Sequence, residues 1–117
     1  MKKIIHVDNS EFFRKLMHTF LTGEGFEVES FSKGEEASFY LSGGSTDMVI
    51  CGLSLEDMDG EIFLKRIMDF YDGPVVVISG SLDASSQANL KSLRVIASIE
   101  KSGSWKESLR TYLLRLK

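Results

Sequence analysis

The chain has 117 residues, a formal net charge of −3, 43% hydrophobic and 26% charged residues, and a single cysteine. A chain of this size buries about two thirds of its unfolded surface, enough for one core and one domain over residues 1–117. The charge balance gives no strong positive field for nucleic acid or anionic lipid, no apolar run is long enough to span a bilayer, and one cysteine with two histidines builds neither an internal disulfide nor a structural zinc site.

Ile4-Ile5-His6-Val7 reads as a strand. The preceding Met1-Lys2-Lys3 is like the start of a secretory leader, but the apolar stretch stops at His6 and Asp8, so a cytoplasmic location is expected. Ser10 can cap a helix that carries Phe13, Leu16, Met17, Phe20 and Leu21 at helical spacing, and Gly23 and Gly25 stop it. Phe12, Phe13, Met17 and Phe20 read as a core stripe. Residues 26–31 alternate and read as a strand near a sheet edge. Ser32-Lys33-Gly34-Glu35 has capping-box spacing and opens a helix through Ala37, Phe39, Tyr40 and Leu41, which Gly43-Gly44 ends. Met48-Val49-Ile50-Cys51 is a buried strand, and a helix from Gly60 to Phe70 follows, carrying Ile62, Phe63, Ile67 and Phe70. Asp72-Gly73-Pro74 turns the chain into a second buried strand, Val75 to Ile78. A polar helix from Ala84 to Leu93, a strand from Val95 to Ile99 and a helix opened by the capping box Ser104-Trp105-Lys106-Glu107 complete the chain.

Strands and helices alternate as five β-α units, the signature of a parallel sheet covered on both faces. Right-handed crossovers with one reversal of direction give a doubly wound α/β domain with strand order 2-1-3-4-5, the flavodoxin-like arrangement. In such sheets the site lies beyond the carboxyl ends of the strands, at the switch between the first and third. Asp8, Asn9, Gly52, Ser79 and Lys101 fall there.

Four segments carry a resemblance. Residues 4–10 (Ile-Ile-His-Val-Asp-Asn-Ser), residues 47–60 (Asp-Met-Val-Ile-Cys-Gly-Leu-Ser-Leu-Glu-Asp-Met-Asp-Gly), residues 74–80 (Pro-Val-Val-Val-Ile-Ser-Gly) and Ile99-Glu100-Lys101 resemble, in order and spacing, the receiver domains of response regulators in two-component signalling. The resemblance covers essentially the whole chain. It implies phosphotransfer to an aspartate after the third strand, Mg²⁺ held by that residue and two acidic residues after the first strand, and phosphoryl oxygens gripped by a hydroxyl and a lysine.

Carried over residue by residue, the resemblance puts Gly52 at the phosphoacceptor position and Asn9 at the second acidic position. Glu56 and Ser102 stand where prolines are usual, and Ser98 stands where an aromatic switch residue is usual. Asp8, Ser79 and Lys101 keep the expected types. The expectation is a pseudo-receiver that acts through protein contacts without aspartate phosphorylation at the usual site. The alternatives are phosphotransfer at another carboxylate, Asp8 or Asp57, and a small-molecule domain that uses the vacated pocket. No catalytic set is present, so an enzyme is not expected. Expected cofactors are none, apart from weak Mg²⁺ on Asp8. Expected partners are a protein or an attached output domain, with room for a weak homodimer and without direct nucleic-acid or membrane binding. The fourth helix, fifth strand and last helix form the docking face that the resemblance implies.

The same residues have plainer readings. Asp8 can cap the first helix or pair with Lys101, and Ser79 can be purely structural. His6 reads as a buried neutral histidine and Cys51 as a core thiol. Glu56, Asp57 and Asp59 read as a solvated acidic loop.

Overall fold

The structure, a computed structural model, describes residues 1–117. Ten elements follow one another: β1 (Lys3–Val7), α1 (Glu11–Gly23), β2 (Glu27–Phe31), α2 (Gly34–Gly43), β3 (Met48–Cys51), α3 (Gly60–Ile67), β4 (Val75–Ser79), α4 (Ala84–Lys91), β5 (Val95–Glu100) and α5 (Trp105–Leu116). The five strands pair in parallel in the order β2-β1-β3-β4-β5, as the alternation predicts. The crossover from β2 over β1 to β3 makes the switch point beside β1 and β3.

Burial follows position in the sheet. β3 and β4 are covered on both faces and buried throughout, whereas β2 and β5 alternate because each is an edge. One face of the sheet, with Ile5, Val7, Val49 and Val77, packs under Leu41 of α2 and Phe63 and Leu64 of α3. The opposite face, with Ile4, Ile50, Val76 and Ile78, packs under Met17 of α1 and Leu109 and Leu113 of α5. Each such aliphatic or aromatic side chain stabilises the fold by about 1.5–3 kcal/mol.

Several local expectations are corrected. Phe12 is not core: it is 73% exposed, because α1 turns Phe13, Met17 and Leu21 inward at a spacing of four. Ser32 does not cap α2. Its hydroxyl donates to Glu56 Oε2 at 2.6 Å, and the cap comes from Asp57, whose Oδ1 and Oδ2 accept the N–H groups of Gly34 and Glu35 at 2.8 and 3.1 Å. Glu56 and Asp57 are exposed, as a solvated acidic loop predicts, and their carboxylates also accept from Ser32 and the start of α2. Ser104 precedes α5 without a side-chain cap bond, since its backbone is not extended. α3 ends at Ile67 rather than Phe70, and the Arg94 guanidinium donates to the Met68 and Tyr71 carbonyls beyond it. α4 ends at Lys91 rather than Leu93. Arg94 then takes a left-handed φ of 53° to turn the chain into β5.

Candidate functional site

The sheet places Asp8 and Gly52 side by side because β1 and β3 are in register from Ile4↔Met48 to Val7↔Cys51. The Gly52 N–H donates to the Val7 carbonyl at 2.9 Å and the Asp8 N–H to the Phe31 carbonyl at 3.0 Å, so both residues are fixed as continuations of their strands. On the far side, the Lys101 N–H donates to the Ser79 carbonyl at 2.9 Å. Asp8, Asn9, Gly52, Ser79 and Lys101, with Ser54, line one cleft of about 240 Å³ at the carboxyl edge of the sheet.

Asp8 is 2% exposed. Its Oδ1 accepts the Ser10 N–H at 2.9 Å, and Ser10 Oγ in turn accepts the Phe13 N–H at 3.1 Å, so the carboxylate and the start of α1 are tied together. Oδ2 lies 2.9 Å from the Lys101 ammonium. That contact is a charge pair without hydrogen-bond alignment, and no other donor reaches this enclosed oxygen. The Lys101 side chain is 24% exposed and crosses the Phe13 ring, with Nζ 4.3 Å from its centroid. Asp8 therefore both holds the helix start and pairs with Lys101.

Gly52 is buried, and its φ is not left-handed. An ideal Cβ there would stand 2.9 Å from Asp8 Oδ2 and 3.7 Å from the Ile78 carbonyl oxygen. Gly60, in contrast, is glycine for a steric reason: a Cβ on it would come within 2.1 Å of the Gly52 carbonyl oxygen. This close approach shuts the loop after β3, with the Gly60 N–H donating to the Leu53 carbonyl at 2.8 Å.

Ser79 is 9% exposed, and its hydroxyl is spent on the local turn, 3.3 Å from both the N–H and the carbonyl oxygen of Ser81. Asn9 is exposed at the cleft mouth. Ser98 and Ser102 are exposed and outside the cleft. His6 is 1% exposed, with Phe13 edge-on at 5.8 Å. Burial lowers its pKa to about 4 against the opposing pull of Asp8, so it is neutral near pH 7. Cys51 is fully buried, burial raises its thiol pKa, and its S–H donates to the Gly52 carbonyl at 2.9 Å; it is a packing residue.

Sequence reading missed Phe13 and Arg14 as parts of the site. Phe13 carries the Lys101 ammonium on its face, and Arg14 donates to the Asp8 main-chain oxygen at 2.7 Å. The available signal was the short Ser10-capped turn, which places both residues back over the end of β1.

The family model for the response regulator receiver domain matches residues 4–112. The chain belongs to that family. This receiver domain is 32% identical over 78 residues to the regulatory protein VanRc of Enterococcus gallinarum, covering 67% of this chain and 34% of that protein. It is 28% identical over 97 residues to a protein-glutamate methylesterase/protein-glutamine glutaminase of Bacillus subtilis, covering 81% of this chain and 27% of that protein. The receiver domain thus spans about a third or less of the length of these relatives. A CheY-like receiver domain from Methanospirillum hungatei superposes with a TM-score of 0.89 over 99% of this chain and 94% of that one, at 20% identity, a likeness of fold. No helix of the receiver domain is long and apolar enough to cross a membrane.

Proposed function

We propose that this receiver domain signals by protein contact as a pseudo-receiver, without phosphotransfer at the end of β3. The observation that carries this reading is the occupation of that strand end. Residue 52 has no side chain, and the Asp8 carboxylate leans into the adjoining space and is neutralised by Lys101 at 2.9 Å. A phosphoryl acceptor needs a free carboxylate and a cation to offset the phosphoryl charge. Asp8 is the sole carboxylate in the cleft, and its two oxygens face Ser10 N–H and Lys101.

The residues present do not fit a Mg²⁺ site. With Asn9 neutral and Gly52 bare, the carboxylate and ammonium sum to zero charge in the cleft, whereas Mg²⁺ seeks hard anionic oxygens in octahedral array. Any Mg²⁺ binding rests on Asp8 alone and is weak. Asp57 is a poor substitute acceptor because both its oxygens cap α2.

Partner proteins or an attached output domain read the domain through the face of α4, β5 and α5. α4 buries only Leu90 and carries little apolar surface, which favours transient docking there over a permanent interface. The domain acts in the cytoplasm.

The test is incubation of the domain with acetyl phosphate and Mg²⁺, followed by intact-mass measurement. No gain of one phosphate is expected, and beryllofluoride leaves the amide spectrum unchanged. A stoichiometric, base-labile phosphate overturns the reading, and mapping it to Asp8 or Asp57 identifies the acceptor that replaces residue 52.

A further inference from the structure

A second surface shares no residue with the strand-end cleft. It is a groove of about 750 Å³ beside β2 and α2, lined by Phe31, Phe39, Tyr40, Gly43 and Gly44 with Glu35 and Glu36. Phe31 and Tyr40 pack ring to ring at 5.5 Å, and Phe39 stands 82% exposed next to them. The three rings thus form one contiguous aromatic patch rather than a single exposed side chain.

The two glycines bear on what the groove is for. Gly43 is helical and Gly44 has a φ of −143°, so neither needs glycine's conformational range. A Cβ on Gly43 would meet nothing within 4 Å, and one on Gly44 only the Tyr40 carbonyl oxygen at 3.8 Å. No packing in this chain demands glycine at either position. What the missing side chains do is keep the end of the groove open.

The flanking charge selects the occupant. The β1–β2 register turns Glu27, Glu29 and Phe31 to the same face as Lys3, Ile5 and Val7, the face that α2 covers. Glu27 is neutralised by Lys3 at 3.1 Å and Glu35 by Arg66 at 2.9 Å. Glu29 and Glu36 are exposed and have no ion-pair partner. Glu36, which lines the groove, and Glu29, two residues before Phe31 on β2, leave unpaired carboxylates that complement a segment apolar on one side and cationic on the other.

We infer that the groove beside α2 docks a basic amphipathic segment of a partner protein. Aliphatic side chains of that segment lie against Phe39 and Tyr40 and over Gly43-Gly44, while its Lys or Arg side chains meet Glu36 and Glu29. The acidic flank disfavours a phosphorylated or nucleic-acid ligand by like-charge repulsion. A second copy of this chain is a weaker match, because the chain itself carries a net charge of −3. This docking is independent of whether the strand-end cleft accepts phosphate.

The experiment titrates the isotope-labelled chain with a short leucine-lysine amphipathic peptide, and in parallel with a control in which glutamate replaces lysine. Amide shifts centred on Phe31, Phe39, Tyr40, Gly43 and Gly44 are expected with the basic peptide and not with the acidic one. Phe39→Ser, Glu36→Lys and Gly43→Leu change exposed positions, so the fold persists, and each is expected to weaken binding by about tenfold. Shifts that map elsewhere, equal binding of the acidic peptide, or indifference to all three variants overturns the proposal. Sedimentation that grows with protein concentration and is abolished by Phe39→Ser also overturns it, by assigning the groove to a second copy.

Discussion

The carboxylate of Asp8 stands against the place where a side chain on Gly52 would point. Its Oδ2 is 2.9 Å from an ideal Cβ at residue 52 and 2.9 Å from the ammonium of Lys101. One oxygen thus crowds the space a second carboxylate would need and engages the cation of the cleft. The carboxylate and the ammonium in the strand-end cleft therefore sum to zero charge.

Removing Lys101 is expected to be costly. Asp8 is 2% exposed, and without its partner it becomes a buried, uncompensated charge. Lys101→Met should lower the unfolding free energy by about 3–5 kcal/mol. Asp8→Asn with Lys101→Met should recover most of that loss, because no ion is then left buried. Urea unfolding of the single and double variants measures the coupling, and strictly additive losses would show that the pair is not coupled.

His6 makes stability depend on pH. In the folded chain burial holds its pKa at about 4, whereas the unfolded value is about 6.5. The unfolded chain therefore binds the proton first as pH falls. The contribution is intact above pH about 6.5 and declines toward pH about 4, by roughly 3 kcal/mol in all. His6→Leu keeps an apolar filling between Phe13 and the sheet and should flatten the curve over that window. Denaturant midpoints at several pH values test this, and parallel decline in both proteins would remove His6 as the cause.

Asp57 is expected to matter for stability through α2. Both its oxygens cap N–H groups at the start of that helix. Asp57→Ala should cost about 1 kcal/mol, as the loss of a cap does. Asn keeps one acceptor oxygen and should cost less. Equal stability of wild type and Asp57→Ala in urea would mean that water satisfies those donors as well.

Sequence alone made the architecture legible because the physics of alternation is strong. Apolar strands joined by helices leave few topologies, and the strand order places residues 8, 52, 79 and 101 at one edge whatever the loops do. Details decided by long-range partners were not legible. Ser32 and Glu35 have the spacing of a capping box, yet Asp57 supplies the cap from 23 residues away. The phase of α1 was ambiguous between Phe12 and Phe13 until Met17 and Leu21 fixed which face meets the sheet. The acidic loop is exposed as read, but the hydrogen bonds it accepts from Ser32 and Gly34 leave no periodic signal in the sequence. The Asp8–Lys101 pair was readable from position, but the lean of Asp8 toward Gly52 depends on Ser10 and Phe13.

Restoring a carboxylate with Gly52→Asp tests the strand-end site directly. The backbone accepts a side chain, since φ at residue 52 is not left-handed and the nearest main-chain atom to a Cβ, the Ile78 carbonyl oxygen, is 3.7 Å away. What must give way is Asp8, whose Oδ2 would stand at 2.9 Å and whose Cγ at 3.3 Å. The new carboxylate then sits beside Asp8 with one ammonium between them. Like-charge repulsion should destabilise the metal-free variant and raise the proton affinity of one of the two groups. Mg²⁺ relieves that repulsion, so its addition should raise the melting temperature of Gly52→Asp and leave wild type nearly unchanged. Affinity should stay modest, because Asn9 keeps the site one negative charge poorer than two acidic residues would. Trp105, packed against Phe13 at 5.0 Å, reports the titration by fluorescence, since Phe13 also carries Lys101. A folded variant whose melting temperature and Trp105 emission ignore Mg²⁺ would mean that Asp8 and Lys101 stay locked together, and that the site lacks more than one ligand.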